Sequence, residues 1–238
     1  MEPFRWKNCY ADVLSNGYGQ VAESFLHDVV GPALAALDAK IRALNESDDG
    51  AAPFIESHVQ EVLRASTMAF SLSIQSMWEQ QLRAYLKRCA HELTADSSQV
   101  ARVLTARWED LDGIFKSLRG IGLRDFQEYA DLDLLHLVGN VCRHGDGASL
   151  EKLSKSHPEL WPPPVSPPVI IDNVHFPPAP LSVDTLNIPR AFLSRFVGAI
   201  VSFWEETEYI YNESIEPKHP SLEKTLVRQR LERAKRRS

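Results

Sequence analysis

The chain has 238 residues, 44% hydrophobic and 24% charged, a composition that reads as globular rather than disordered and is ample for a sizeable core. No apolar run nears the twenty or so residues of a membrane helix, and the opening MEPFRWKNCY lacks a basic region followed by an apolar one, so a cytoplasmic location is expected. The net charge of −6 is uneven: from Glu216 onward eight Lys/Arg stand against three Glu, about +5, leaving about −11 for the rest, and so acidic a body excludes a general nucleic-acid binder.

Up to about Gly19 the sequence holds early aromatics and Cys9 without a period, and reads as a loosely structured arm. From Gln20 to Asn45 the positions Val21, Phe25, Val29, Leu34, Leu37, Ile41 and Leu44 recur at helical spacing. Gly31-Pro32 marks a break there, because proline lacks a donor and crowds the preceding turn. Glu46 to Pro53 is a polar linker. A long helix is predicted from about Phe54 to Leu93, where Ile55, Val59, Leu63, Phe70, Ile74, Trp78, Leu82, Tyr85, Leu86 and Cys89 keep the period without Gly or Pro. Its length, on the order of 60 Å, is that of a bundle organiser or a dimer seam, and Ser71, Ser73 and Ser76 mark a place for a bend. Within SMWEQQLRAYLKR, Glu79 has Arg83 at i+4, an ordinary solvated ion pair on its own terms.

One or two shorter helices are predicted between Ser97 and Ile121, with Trp108, Leu111, Phe115 and Leu118 as core. Arg119, Gly120, Gly122 and Arg124 then read as a basic, flexible turn. The three cysteines, Cys9, Cys89 and Cys142, are widely spaced without a CxxC pair, which argues for reduced buried thiols and against a disulfide framework or structural zinc. No Walker loop, dinucleotide fingerprint, HExxH pair or Gly-x-Ser-x-Gly elbow is present, so neither cofactor nor metal is expected.

The densest polar chemistry lies in Leu132 to Leu153, LDLLHLVGNVCRHGDGASLEKL. Leu134, Leu135, Val138, Val141 and Cys142 form one apolar helix face. His136, Asn140 and His144 recur at steps of four on the other, with Arg143 alongside. Gly145 and Gly147 end the helix, and Ser149 with Glu151 starts the next. His144 thus sits at a helix C-terminus, where partial negative charge favours the imidazolium, with Asp146 two residues on. Basic residues in a last turn before glycine are ordinary capping; five polar functional side chains in so short a stretch exceed what a cap requires.

The segment GNVCRHGDGASLEKL resembles the Asn-x-x-[Lys/Arg]-His-Gly-x-Gly stretch of bacterial all-helical proteins that are similar to the HEPN superfamily. The superfamily's motif is an Arg, often followed by Asn, with a His further on near a helix end. Asn140 and His144 match the Asn and the His, Gly139 stands where the family has its Arg, and Arg143 adjoins the His instead. The resemblance implies a helical bundle, a homodimer, and the activity of many members: metal-independent endoribonucleases of toxin–antitoxin or phage-defence systems. In that setting His144 would be the acid/base, Arg143 would hold the phosphate and Asn140 would orient the pair. His136 and Asp146 would support them, as would Glu79, whose helix is similar to an early family helix carrying a buried Glu. RNA, and an antitoxin or other defence protein, are the implied partners. The alternative, favoured by Gly139, is a catalytically inactive interaction or regulatory protein of the same fold.

After His157 the prolines Pro158, Pro162, Pro163, Pro164, Pro167, Pro168, Pro177, Pro178 and Pro180 exclude a helix. The embedded VIIDNVHF favours an extended strap, about 158 to 188, over a proline-rich ligand for a partner domain. Pro189 opens the most apolar helix, Arg190 to Glu206, with Phe192, Phe196, Ile200, Phe203 and Trp204. The tail from Ser221 is a basic helix, or a frayed end, whose Arg228, Arg230, Arg233, Lys235, Arg236 and Arg237 are candidate nucleic-acid contacts. The expected architecture is all-α: a helical bundle with a long central helix, a Pro-rich strap and a basic C-terminal helix. Its domain runs from 1 to 214, with 215 to 238 appended.

Overall fold

The computed structural model describes residues 2–94, 96–163, 170–171, 174–175 and 181–237. The fold is all-α: α1 (Tyr10–Leu14), α2 (Tyr18–Ser24), α3 (Gly31–Asn45), α4 (Ala52–Leu93), α5 (Ser97–Thr105), α6 (Trp108–Arg119), α7 (Tyr129–His144), α8 (Ala148–Ser156), α9 (Arg190–Ser214) and α10 (Pro220–Arg237). The chain divides into two compact units, one of Met1–Glu23, Trp78–Ala130 and Gly198–Ser238, the other of Ser24–Met77 and Asp131–Val197. Among the described residues no helix is long and apolar enough to cross a membrane.

The long helix α4 has 42 residues and starts two positions before the predicted one, with Pro53 in its first turn where a missing N–H costs nothing. Its serines do not interrupt it. Thr67, Ser71 and Ser73 each return their hydroxyl to the carbonyl four residues back, all at 2.9 Å, so these polar groups are satisfied inside the helix. No break occurs at Gly31-Pro32: a π-helical turn, Phe25–Val30, follows α2 directly and leads without a gap into α3, closed by the Gly31 N–H on the Leu26 carbonyl. The wider turn delivers the chain to a proline that has no donor to offer.

In the first unit residues 2–9 of the N-terminal arm carry neither helix nor strand, α1 follows them, and the arm packs on the body. Long-range bonds hold it: Trp6 N–H donates to Ser214 Oγ at 2.9 Å and Tyr10 N–H to Glu92 Oε2 at 2.6 Å. No local period announces contacts of that kind. The core beneath is aromatic. Trp78 and Phe203 meet edge to face with centroids 4.9 Å apart, and Phe126 lies 4.6 Å from Phe203. The Trp204 indole N–H, which needs an acceptor once buried, donates to Gln81 Oε1 at 3.0 Å. Glycine at position 19 lets the arm pass close to α9, since a Cβ there would lie 3.2 Å from Val201 Cα.

Helix α10 is docked in this unit. Leu226 is fully buried, and Arg230 forks onto both Glu213 oxygens at 2.6 and 2.7 Å while also donating to Glu223 at 2.7 Å. Burial by itself would raise the Glu213 pKa, but hydrogen bonds from Arg230 and Tyr209 more than offset it and hold the carboxyl below its ordinary 4.5. A carboxyl depressed by folding stabilises the native state above its unfolded pKa and loses that contribution as pH falls through the folded one. Stability is therefore expected to be flat near neutrality and to decline below about pH 4.5. Arg230→Met should lower the neutral plateau and shallow the acid limb. Urea midpoints from pH 7 to 3 check this, and parallel curves for the two proteins would contradict it.

In the second unit Arg190 ties the start of α9 to α3, donating to the Leu34 carbonyl at 2.9 Å and pairing with Asp38 at 2.5 Å. Of the Pro-rich strap, the described part is a turn of 3-10 helix at Pro158–Leu160 and an antiparallel ladder pairing Ile170 with His175 and Ile171 with Val174. The other strap positions from 164 to 180 lie outside the described residues. The strap's two ends meet: Asn187 N–H donates to the Leu160 carbonyl and Trp161 Nε1 to the Ser182 carbonyl, both at 2.8 Å.

Candidate functional site

Helix α7 is built as its pattern dictates. Leu134, Leu135, Val138 and Val141 are buried, Cys142 is half-buried, and burial pushes its thiol up to about 12. The helix ends at Gly145, whose φ of 68° places it in the left-handed region that glycine enters cheaply. Along the polar stripe His136 and Asn140 are half-buried, while Arg143 and His144 are exposed.

These residues are paired, but not into one constellation. Asn140 Nδ2 and His136 Nε2 lie 2.9 Å apart, so Asn140 is engaged with the histidine one turn back rather than with His144. Arg143 reaches across to α4, donating to Gln75 Oε1 at 3.0 Å and Ser76 Oγ at 3.4 Å. Asp146 accepts from the Val183 N–H at 2.8 Å and from the Ser182 hydroxyl at 3.1 Å; it clamps the returning end of the strap. His144 projects into solvent at the helix end. Glu79, in the other unit, pairs with Arg83 at 2.7 Å, and Arg83 also donates to the Val103 and Ala106 carbonyls, tying α4 to the end of α5.

Gly139 is the tightest point of the stripe. A Cβ built on it would lie 2.6 Å from Gln75 Cγ and 2.8 Å from Gln75 Cβ, distances that side chains do not adopt. Helices α4 and α7 cross there backbone against side chain, over a column of buried polar residues, Thr67, Ser71 and Gln75, on α4. Glycine in a helix interior costs about 1 kcal/mol relative to alanine, so a glycine inside a periodic face is itself the signal of such an approach.

Among the basic tail residues, Arg230 is held by Glu213 and Glu223. Arg233 is paired with Glu206 and lies 3.8 Å over the Tyr209 ring. Arg228 and Lys235 are exposed, and the side chains of Arg236 and Arg237 lie outside the described residues. Carboxylates thus occupy Arg230 and Arg233, which lowers the value of these two as phosphate contacts. Among the described residues no three His, Cys, Asp or Glu side chains converge to hold a metal ion.

The chemistry the sequence hid lies around Arg119. Expected in a flexible turn, Arg119 is only 2% exposed. Its Nη2 donates to both Asp12 oxygens at 2.7 and 3.0 Å, and its Nη1 to the Lys7 carbonyl at 2.9 Å. The guanidinium lies 3.9 Å over the Trp6 ring, and the Tyr85 hydroxyl donates to Asp12 Oδ1 at 2.9 Å. The turn itself is formed by Gly120, with φ 86°, which leaves the preceding arginine free to point inward. Burial, first of all, pushes the Tyr85 hydroxyl well above its usual range.

Compared with known proteins, the chain matches no family model, no curated protein and no solved structure.

Proposed function

We propose that this chain is a HEPN-like helical protein that acts by binding, as an interaction or regulatory component of a toxin or phage-defence system, rather than by cleaving RNA. The approach of Gln75 to Gly139 carries the reading. An arginine at that position, the cation that would stabilise charge developing on a phosphate, has no room on this backbone. The remaining groups are committed elsewhere: Asn140 to His136, Asp146 to the strap. The polar end of α7, with Arg143 and His144 facing solvent, then serves as the contact surface for a cytoplasmic partner, a second copy of the chain, an antitoxin-like protein or RNA.

A second reading keeps the enzyme. Arg143 and His144 are adjacent, exposed and placed at a helix C-terminus that favours a protonated imidazole, so a metal-independent endoribonuclease with His144 as acid/base and Arg143 on the phosphate draws support from that pairing. RNA cleavage by the purified chain in EDTA, beside His144→Ala and Arg143→Ala, separates the two. The binding reading expects no cleavage above the blank in any of the three, with all three melting within a few degrees of one another. A robust parental rate that falls 100-fold or more in both variants would replace it with the nuclease.

A further inference from the structure

The arm and α4 bring two of the three cysteines together. Cys9 Sγ lies 3.5 Å from Cys89 Sγ although the residues are 80 positions apart, and Arg119 Nη1 lies 3.6 Å from Cys9 Sγ. Placement of this pair is imposed from several sides. Arg119 holds the Lys7 carbonyl before Cys9 and the Asp12 carboxylate after it, and Asp12 Oδ2 accepts from the Cys9 N–H at 2.9 Å. Cys9 is half-buried; Cys89 is fully buried.

We propose that Cys9 and Cys89 form a peroxide-reactive thiol pair, with Cys9 the attacking and Cys89 the resolving sulfur. The Cys9 thiolate attacks one oxygen of hydrogen peroxide; an S–O bond forms, the O–O bond breaks, and the departing hydroxide is protonated to water. Cys89 then attacks the Cys9 sulfenic sulfur; an S–S bond forms, the S–O bond breaks, and the Cys89 proton leaves with the hydroxyl as a second water. Two thiols are oxidised by two electrons and one peroxide is reduced to two waters.

The surroundings divide the two roles. A hydrogen bond from Cys89 holds the Cys9 thiol below its usual range, against its own burial and the Asp12 charge, with Arg119 acting in the same direction as Cys89. Burial, followed by that same hydrogen bond, pushes Cys89 up, so it stays a thiol until the sulfenic acid is in front of it. Tyr85 and Asp12 face the pair from α4 and α1 and keep the site from becoming simply cationic. The product fastens the arm covalently to α4 and closes a long loop of chain.

The test treats the intact reduced protein with a slight excess of hydrogen peroxide, then unfolds it in N-ethylmaleimide for intact mass and non-reduced peptide mapping. The oxidised parent is expected to be about 2 Da lighter before labelling and to take a single maleimide, at Cys142, where the reduced protein with its three cysteines takes three. The Cys9 peptide should be linked to the Cys89 peptide, and the melting temperature should rise by roughly 10 °C, reversed by dithiothreitol. In Cys89→Ser the Cys9 sulfenic acid should be trapped by dimedone; in Cys9→Ser, Cys89 should stay reduced. Cys142 reacting as fast as Cys9, sulfinic acid at Cys9 of the parent without the cross-link, or three intact thiols after treatment would each overturn the proposal. The parent's peptide map decides alone if either variant fails to fold.

Discussion

Arg119→Met is expected to destabilise the protein by about 3–5 kcal/mol. The guanidinium is not a surface charge whose loss water would absorb: its side chain and that of Asp12 are 0% and 1% exposed. Removing it leaves the Asp12 carboxylate buried with the neutral Tyr85 hydroxyl and Cys9 N–H as donors and no counter-charge among the described residues' bonds to it, and removes the donor to the Lys7 carbonyl. An ionised group left in the interior without its counter-charge costs far more than the pair contributed. Asp12→Leu should be comparably harmful, since it strands the arginine instead. The double variant, Arg119→Met with Asp12→Leu, should recover well over half of the summed loss, because two apolar side chains of similar size need no solvation. Urea unfolding of the four proteins closes the cycle. Single losses below about 1 kcal/mol, the range of an exposed pair, would show that the cluster is wet.

Substituting Gly139 is expected to be the second largest insult. Alanine there gains about 1 kcal/mol of helix propensity but places a methyl 2.6 Å from Gln75 Cγ. Overpacking of a fixed helix crossing costs typically 1–3 kcal/mol, so the net effect is a loss of up to about 2 kcal/mol. Gly139→Arg, which would supply the arginine that the HEPN motif carries, should unfold the second unit rather than confer activity. Gln75→Ala removes the nearer of the two clashing atoms and should make Gly139→Ala less costly by about 1 kcal/mol, read from denaturation midpoints. An unchanged penalty in the Gln75→Ala background would place the conflict at the Cβ that alanine retains, 2.8 Å away.

The helices were legible because their signals are local. The uninterrupted period through Ile74, Trp78, Leu82, Tyr85 and Cys89 located α4 to within two residues at its start and exactly at Leu93, and Gly145 marked the end of α7. Arg119 was misread because an arginine before a glycine has the same sequence signature whether it caps a helix or turns inward; its partner Asp12 is 107 positions away. The pairing of Cys9 with Cys89 is equally non-local. The polar stripe of α7 could be read as a stripe, whereas what each member grips, Gln75 for Arg143 and Val183 for Asp146, depends on which helix or strap end crosses it. Gly139 was seen as a missing arginine; its positive role, admitting Gln75, required the crossing itself.

The meeting of the strap's ends bears on how this chain can vary. With Leu160 and Trp161 bonded to Asn187 and Ser182, and Asp146 gripping Ser182 and Val183, the entropy of closing the loop is met at its neck. Doubling a closed loop's length adds only about 0.6 kcal/mol, so the neck insulates α8 and α9 from whatever lies between. Changes of chain length between Trp161 and Ser182 are therefore expected to leave α8 and the start of α9 in the registration that the neck fixes.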